Sequence, residues 1–353
     1  MAGYNNRDIL GKNKKIFLTG HTGFKGTWLT LLLEEMGHEV IGYSLDAAAN
    51  SLYERLSRKG VVQEYFSDIR DVDALTKAMR ETDPAIVIHM AAQPLVLESY
   101  RNPRETFEVN AQGTANLFEA SFATESVNVI GAVTTDKVYK NLETTHSYLE
   151  TDPLEGGSDP YSASKVAAEA VICGWKKIRE VSAGPQIVTL RSGNVIGGGD
   201  FSKDRLIPDF VRSNLNGNPV VIRNSQSTRP WMHVLDSLIG YLRAINNSMQ
   251  KGNSDVFNFA PIDKSLSVEE IIHIALETWP DMFTYKYLEN GEKKVEAHSL
   301  NLNPTKAISE LGWSSHWDQQ ASVSDSVSWW KMIIDKECSV SEACYSEIKK
   351  VVN

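Results

Sequence analysis

The sequence feature that most limits the possible folds is a run of three evenly spaced glycines near the N-terminus. The apolar segment 15–19 precedes Gly20, Gly23 and Gly26, and apolar residues with helical spacing follow over 28–36. This order predicts a strand, a turn and a helix: Gly20 allows a tight turn, Gly23 lets the backbone approach an anion, and Gly26 lets the helix pack on the strand. Because backbone N–H groups at a helix N-terminus attract negative charge, the turn predicts a pyrophosphate site.

Apolar segments continue to alternate with helical segments along the N-terminal half. Continuous apolar runs such as 85–90 are typical of strands that are buried on both faces of a parallel sheet. The alternation predicts an α/β fold, a Rossmann-like doubly wound parallel sheet with ligands at the carboxyl ends of its strands. After the first strand, further strands are predicted at 39–44, 61–66, 85–90, 128–134, 187–191 and 256–259.

A glycine-rich segment at 197–199 follows the sixth predicted strand and indicates an exit into a second lobe. We expect this lobe to be smaller, of mixed α/β structure, and to bind the substrate. The predicted cofactor domain comprises residues 1–191 and about 232–261, and the predicted substrate lobe comprises residues 192–231 and about 262–353.

Composition narrows the class of protein. The 353 residues are 42% apolar and 23% charged, which is typical of a globular enzyme. A net charge of -9 argues against a general nucleic-acid or membrane-surface binder. The N-terminal residues 1–15 lack the apolar core of a secretory signal, so we expect a cytoplasmic protein. The three cysteines have neither a disulfide framework nor a metal-ligand spacing, and we therefore expect no bound metal.

Candidate catalytic residues occur in two neighbouring segments. Pro160 begins a predicted helix, on which Tyr161 and Lys165 share one face because they are four residues apart. An ammonium close to a phenol favours the phenolate and lowers the tyrosine pKa, which would make a base for an alcohol proton. Thr135 ends the predicted strand 128–134 and could hydrogen-bond the same oxygen. A tyrosine and a lysine on an ordinary amphipathic helix are the structural alternative.

Together, Thr135, Tyr161 and Lys165 resemble the catalytic triad of the short-chain dehydrogenase/reductase superfamily, in its extended, nucleotide-sugar branch. This resemblance implies NAD as the cofactor. Ser44 stands where many relatives have an acidic residue, so we expect weaker discrimination between NAD and NADP, and for Asn110 we expect a structural, water-organising role. The implied cofactor-binding residues are Gly20, Thr22, Gly23, Phe24, Gly26, Ser44, Asp68, Ile69, Ala91, Ala92, Gln93 and Asn110, together with Tyr161 and Lys165.

The resemblance also implies a nucleotide-sugar substrate. Asn194 and Arg229 resemble substrate contacts of the family, and a guanidinium can fork onto diphosphate oxygens in a way that lysine cannot. Arg205 is a further candidate, with a solvated surface charge as its alternative. His233 is also placed among the substrate-binding residues, with packing beneath its loop as its alternative.

The pair Asp136-Lys137 indicates which reaction follows alcohol oxidation. Once C4 is a ketone, water can leave across C5 and C6 if one group removes the C5 proton and another protonates the C6 hydroxyl. An Asp-Lys pair after the threonine resembles the CDP-glucose 4,6-dehydratases, which convert CDP-glucose to CDP-4-keto-6-deoxyglucose for deoxysugar and O-antigen biosynthesis. Residues 146–150 and Leu97 depart from that pattern. A 4-epimerase, a 4-reductase, a dehydratase of another nucleotide sugar and a non-catalytic nucleotide-binding protein stay open as alternatives.

The adjacent pair also poses a physical requirement. Neighbours on a regular strand point to opposite faces, so the chain must leave strand geometry after Thr135 if Asp136 and Lys137 are both to act. Asp136 must be protonated to act as an acid, whereas the neighbouring Lys137 ammonium favours its charged form. Water must therefore be excluded from the site, because burial favours the neutral form. The helices predicted at 104–123 and 160–180 carry apolar residues on more than one side, which predicts a homodimer or homotetramer through them.

Overall fold

A parallel seven-stranded sheet forms the centre of the computed structural model, which describes residues 6–142, 144, 146–288 and 300–352. Over these ranges the strands are β1 Lys15–Thr19, β2 Glu39–Ser44, β3 Gln63–Phe66, β4 Ile86–His89, β5 Val129–Val133, β6 Ser147–Tyr148, β7 Gln186–Ser192, β8 Asn194–Ile196, β9 Val220–Ile222, β10 Thr228–Arg229, β11 Trp231–His233, β12 Asp255–Phe259, β13 Leu266–Ser267, β14 Tyr285–Tyr287 and β15 Asn301–Leu302.

The order of the strands creates the place where ligands bind. The central sheet runs β12-β7-β5-β4-β1-β2-β3, and each neighbouring pair is parallel. The strand order reverses around β1, because β2 lies on one side of it and β4 on the other. In such sheets the crevice beyond the carboxyl ends at the reversal point is the ligand site. The predicted Rossmann-like doubly wound sheet is confirmed.

Helices cover both faces of this sheet. The helix predicted at 104–123 is a continuous helical segment in which a π-helical stretch, Glu108–Gln112, joins α5 to α6. The α-helices are α1 Phe24–Glu35, α2 Leu52–Arg55, α3 Val72–Thr82, α4 Val96–Arg101, α5 Pro103–Phe107, α6 Gly113–Phe122, α7 Pro160–Val181, α8 Leu206–Asn216, α9 Val234–Lys251, α10 Val268–Thr278, α11 Thr305–Leu311, α12 Gln319–Ile334 and α13 Val340–Val352, and short 3₁₀ turns occupy Asn6–Asp8 and Asp136–Val138.

The alternation of side chains along the strands divides the core into two parts. On β1, Ile16 and Leu18 belong to the apolar cluster on one face, whereas Phe17 belongs to the cluster on the other. All three side chains are fully buried. The first cluster continues to Trp313 and Trp329, so this one cluster connects the central sheet with the C-terminal helices. This burial on both faces explains why the strands read as continuous apolar runs.

The second lobe, predicted at 192–231 and about 262–353, contains short strand pairs and helices. Its pairs are β8 with β11, β9 with β14 and β10 with β13. Residues 289–299 of this predicted lobe lie outside the described residues. Helix α13 also falls within the predicted lobe, and it packs against α1 and α9 of the sheet domain as well as against α12. None of the helices in the described ranges is long and apolar enough to cross a bilayer.

Candidate active site

A cleft of about 810 Å³ lies at the carboxyl ends of the central strands. It runs from the glycine turn after β1, past the end of β5 and the start of α7, to residues of α8 and β9. Most of the residues that the sequence singled out therefore come together. The predicted site residues that line the cleft are Gly20, Thr22, Gly23, Phe24, Gly26, Ser44, Asp68, Ile69, Ala91, Ala92, Thr135, Asp136, Lys137, Tyr161, Lys165, Asn194, Arg205 and Arg229.

The glycine turn has the shape of a dinucleotide cradle. Gly20 has φ +77°, a conformation that L side chains rarely adopt. A Cβ on Gly26 would lie 2.1 Å from the carbonyl oxygen of Gly20, so no side chain fits between the turn and helix α1. The N-terminus of α1, which begins at Phe24, faces the cleft. This turn fits the pyrophosphate of a dinucleotide, because its glycines let the anion approach the backbone and the N–H groups at the start of α1.

The adenosine end of the cradle contains the expected serine and aspartate. Ser44 ends β2, and its hydroxyl lies 2.8 Å from the hydroxyl of Thr22. Asp68 is held by Arg70, whose backbone N–H and guanidinium both donate to it, and these hydrogen bonds lower the pKa of Asp68. The neighbouring Asp71 is the residue that caps α3, because its carboxylate accepts from the N–H of Ala74. Asp68 therefore does not cap the helix, and it lines the cleft.

Gln93 and Asn110, for which we expected cofactor contacts, are not among the residues that line the cleft. Asn110 is buried, accepts from the N–H of Gln93 at 2.8 Å, and donates to the Gln93 carbonyl at 3.1 Å and to Ser164 at 2.9 Å. The Gln93 side chain donates to Thr106 and to the Leu95 carbonyl. These two residues fasten the loop after β4 to α7, which agrees with a structural role for Asn110.

The structure also places His233 away from the cleft. Its ring is 1% exposed, accepts from the N–H of Leu235 as the cap of α9, and packs on Trp317 with ring centres 4.0 Å apart. Burial lowers the pKa of His233 to about 3, so the ring is neutral. The structure therefore places His233 in the packed position given as its alternative and not at the cleft where we expected it.

The chain leaves strand geometry immediately after β5, as the adjacent Asp-Lys pair requires. Thr135 caps a 3₁₀ turn over Asp136–Val138: its hydroxyl oxygen accepts from the N–H of Lys137 at 3.4 Å and its proton is donated to Asp136 Oδ1 at 2.8 Å. Both Asp136 and Lys137 consequently line the cleft, although they are neighbours in the chain.

Asp136 is a buried carboxyl group with one oxygen unpaired among the described residues. Its side chain is 3% exposed, and Oδ2 has no hydrogen-bond partner among the described residues. Burial raises the pKa of Asp136, although the charges of Lys137 and Arg229 and the hydrogen bond from Thr135 oppose the rise. A buried carboxyl oxygen without a partner, on a residue that lines a cleft, is a candidate to hydrogen-bond or protonate a bound group.

Tyr161 and Lys165 lie on the first turns of α7, which begins at Pro160 and is capped by Asp159. The expectation of a lowered tyrosine pKa differs from the structure, because burial raises the pKa of Tyr161 to about 12. Burial is the physical reason, and the Lys165 ammonium donates to the Val133 carbonyl at 3.3 Å. Burial also lowers the pKa of Lys165 to about 8.

Two cationic side chains line the cleft from segments of the predicted substrate lobe. Arg205, just before α8, lies 3.6 Å from the buried carboxylate of Asp200, so it is not merely a solvated surface charge. Its guanidinium also acts on Tyr161, where it opposes the rise of the pKa. Arg229 donates to the Thr228 carbonyl at 2.7 Å. Their position across from Tyr161 and Asp136 suits an anionic group beyond the reacting sugar.

A buried ion pair behind the predicted catalytic residues was missed by sequence reasoning. Glu169 accepts from Arg191 at 2.8 and 2.9 Å and from Thr134 at 2.6 Å. Arg191 donates in turn to the hydroxyl of Tyr139, which follows the 3₁₀ turn. The pair therefore fastens α7 to the two ends of the Asp-Lys segment. The spacing of residues could have identified Glu169 from the sequence. It lies four residues after Lys165 and eight after Tyr161, and so it shares their helix face.

Comparisons with known proteins agree with this geometry. Residues 16–260 match the model of the NAD dependent epimerase/dehydratase family. The chain is 41% identical over 336 residues to the CDP-glucose 4,6-dehydratase of Salmonella typhimurium, covering 92% of this chain and 93% of the relative. The fold is similar to the NAD-bound dTDP-glucose 4,6-dehydratase of Streptomyces venezuelae, with a TM-score of 0.77, 23% identity, and coverage of 90% and 97%.

A second solved structure shows the same fold. The UDP-glucose-4-epimerase of Stenotrophomonas maltophila, solved with bound NAD, gives a TM-score of 0.79 at 20% identity and covers 92% of this chain and 100% of its own. The predicted resemblance to the extended short-chain dehydrogenase/reductases is thereby confirmed, as is NAD as the cofactor of the family. The chain belongs to the NAD dependent epimerase/dehydratase family.

Proposed function

We propose that this protein is a nucleotide-sugar 4,6-dehydratase, a hydro-lyase that converts CDP-glucose to CDP-4-keto-6-deoxyglucose and water. The observation that carries the proposal is Asp136: a buried carboxyl group with a raised pKa and a free oxygen, placed beside Tyr161 in the same cleft. The 41% identity to a CDP-glucose 4,6-dehydratase over almost the whole chain supports the same substrate.

The residues of the cleft divide the reaction between them. When NAD is bound in the cradle of Gly20, Gly23 and Gly26, it supplies the acceptor for the electron pair that leaves C4 and later returns to C6. Tyr161 takes the proton of the C4 hydroxyl once the positive nicotinamide of bound NAD counters the burial that raises the phenol pKa. Thr135 hydrogen-bonds to the C4 oxygen. Asp136 protonates the departing C6 hydroxyl.

Lys137 is proposed as the group that removes the C5 proton or stabilises the charge that develops there. Its ammonium lies 5.9 Å from the centre of the Tyr161 ring, so it faces the same part of the cleft as the phenol. The difficulty that an adjacent lysine favours the carboxylate of Asp136 is met by burial, which dominates and raises the carboxyl pKa. This arrangement makes Asp136 the acid and leaves Lys137 as the base or stabiliser.

A sugar-nucleotide 4-epimerase or 4-reductase is the alternative for this fold, and several relatives are epimerases. Neither reaction eliminates water, so neither needs an additional acid. A buried Asp136 with an unsatisfied oxygen would then have no use and would only destabilise the protein. The Asp136 geometry therefore favours the dehydratase.

The test is incubation of the protein and NAD with CDP-, dTDP-, GDP- and UDP-glucose, with products identified by mass. We expect loss of one water from CDP-glucose, incorporation of solvent deuterium at C5, and no net accumulation of NADH. An isomer of unchanged mass would indicate an epimerase, and stoichiometric NADH would indicate an ordinary dehydrogenase. Either result would overturn the proposal.

We further propose that the protein works in the cytoplasm as a homodimer or homotetramer, in deoxysugar or O-antigen biosynthesis. The exposed apolar side chains on α5 and α7 support the interface: Phe107 is 39% exposed, Ile178 42% and Val181 88%. Sedimentation analysis of the wild type and of Ile178→Glu is the test, because a charge in the interface should favour the monomer. A monomeric wild type would contradict this proposal.

A further inference from the structure

A carboxylate lies at the end of the cleft that must hold the nucleotide. Beyond Tyr161 and Asp136, the cleft is lined by residues of α8 and β9 and by the cations Arg205 and Arg229, which suit a diphosphate. Asp209, on the first turns of α8, lines this same end. A negative charge opposes the binding of an anionic ligand, unless it accepts a hydrogen bond from a donor group of that ligand.

Two other acids at this end already have partners that account for them. Asp200 accepts from the N–H and the hydroxyl of Ser202 and faces Arg205. Asp204 lies 3.5 Å from Arg223. Asp209 differs, because Arg212 donates only to its Oδ1, and no hydrogen bond to Oδ2 comes from the residues that the structure describes.

Arg212 holds one oxygen of Asp209. Arg212 lies one helical turn after it on α8 and also donates to the carbonyls of Phe201 and Ser202, at 3.0 and 2.9 Å. The same guanidinium lies over the Phe201 ring, 5.4 Å from its centre. Arg212 therefore occupies one oxygen of Asp209, and the other oxygen has no hydrogen-bond partner among the described residues, on a side chain that lines the cleft.

A single acceptor distinguishes among the bases of nucleotide sugars. Cytosine carries one exocyclic amino group, which carboxylates accept well, whereas uracil and thymine carry a carbonyl oxygen at the same position. Guanine offers two neighbouring donors, which would need both oxygens of the carboxylate, and Arg212 occupies one of them. We propose that Asp209 reads the exocyclic amino group of cytosine through Oδ2 and thereby selects CDP-linked sugars over UDP- and dTDP-linked sugars.

This inference rests on the proposed function only in that the ligand is a nucleotide sugar, and its test needs no turnover. The NAD-loaded protein is titrated calorimetrically with CDP, UDP, dTDP and GDP, and the ratio of the dissociation constants for UDP and CDP is compared between variants. We expect wild type to bind CDP at least roughly tenfold more tightly than UDP, the discrimination of one good base contact.

The variants are Asp209→Asn and Asp209→Leu, with Asp204→Asn as the matched control at the same end of the cleft. Asp209→Asn should reduce the preference for CDP at least roughly tenfold, because its amide can also donate to the uracil oxygen. Asp209→Leu, which lacks both oxygens, should bind both nucleotides about equally. Asp204→Asn should change both affinities together and leave the ratio intact.

The ratio is internal to each variant, so a general loss of folded protein affects CDP and UDP alike. A wild-type ratio near one, or a wild-type ratio retained in either Asp209 variant, would overturn the inference. Its failure is distinguishable from that of the proposed function. Dehydration of CDP- and UDP-glucose at similar rates contradicts the role of Asp209 alone, whereas selective CDP binding without loss of water contradicts the dehydratase alone.

Discussion

Replacing Glu169 by glutamine would leave the Arg191 guanidinium buried without its counter-charge. The two side chains are 6% and 5% exposed, and Arg191 makes hydrogen bonds of 2.8 and 2.9 Å to the two carboxylate oxygens. In Glu169→Gln one oxygen becomes an N–H₂ group, which faces another donor. Removal of one partner from a buried ion pair typically costs about 3–5 kcal/mol, and because one hydrogen bond persists we expect the lower end of that range.

The measurement is the free energy of unfolding in urea, followed by circular dichroism. Glu180→Gln on the same helix is the matched control: Glu180 pairs with Lys177 at 2.9 Å on the surface, so we expect a loss below about 1 kcal/mol. The double variant Glu169→Gln/Arg191→Met should lose less unfolding free energy than the two single variants lose together. The reason is that no buried charge is left without a partner.

An unfolding free energy of Glu169→Gln within about 1 kcal/mol of the wild type would contradict this prediction, because a loss that small is expected for an exposed pair. The same variant should also turn over more slowly, since Glu169 fastens α7 to Thr134 and thus holds Tyr161 in register with Asp136. Unchanged turnover in a destabilised variant would assign the pair to stability alone.

Three further predictions concern the cofactor and the catalytic residues. Burial lowers the pKa of Lys165 to about 8, so the protonated side chain opposes folding at pH 7. Lys165→Met should therefore raise the unfolding free energy of the NAD-free protein by up to about 3 kcal/mol at pH 7. This gain should shrink as the pH rises above the pKa of Lys165, because the buried lysine is then neutral. Equal gains in urea unfolding at pH 7 and pH 10 would contradict this. Gly26→Ala places a Cβ 2.1 Å from the Gly20 carbonyl oxygen, so calorimetry should show NAD binding weakened at least roughly tenfold, and wild-type affinity would disprove the cradle. Tyr161→Phe should lower the rate of product formation at least about a hundredfold with CDP affinity unchanged, and an unchanged rate would remove Tyr161 from the mechanism.

The central fold could be predicted because its signals are local. Continuous apolar runs marked the buried strands, and the glycine spacing marked the turn after β1, where Gly26 leaves no room for a Cβ. The departure from strand geometry after Thr135 was also predicted, since the adjacent acid and base could not both face the cleft from a strand, whereas the 3₁₀ form of the turn was not.

Features that depend on tertiary packing were not predictable. His233 was predicted to contact the substrate because it lies four residues after Arg229, but only the folded chain places Trp317 against its ring. The pKa of Tyr161 was expected to fall because Lys165 shares its helix face, yet burial dominates and the ammonium donates to the Val133 carbonyl instead. The free oxygen of Asp209 likewise depends on where Arg212 donates. Spacing along a helix indicates which side chains can meet, whereas burial and competing partners decide what they do.

The measurement that tests the central claim most directly is a single turnover of Asp136→Asn with NAD and CDP-glucose. Asparagine keeps the shape of Asp136 but has no acidic proton, so the variant should still oxidise C4 and then fail to protonate the C6 hydroxyl. We expect reduced-nicotinamide absorbance to build up on the enzyme, no loss of water from the sugar by mass, and similar behaviour in Lys137→Met. Formation of the 6-deoxy-4-keto product by Asp136→Asn at the wild-type rate would contradict the account, because the buried Asp136 carboxyl would then be structural.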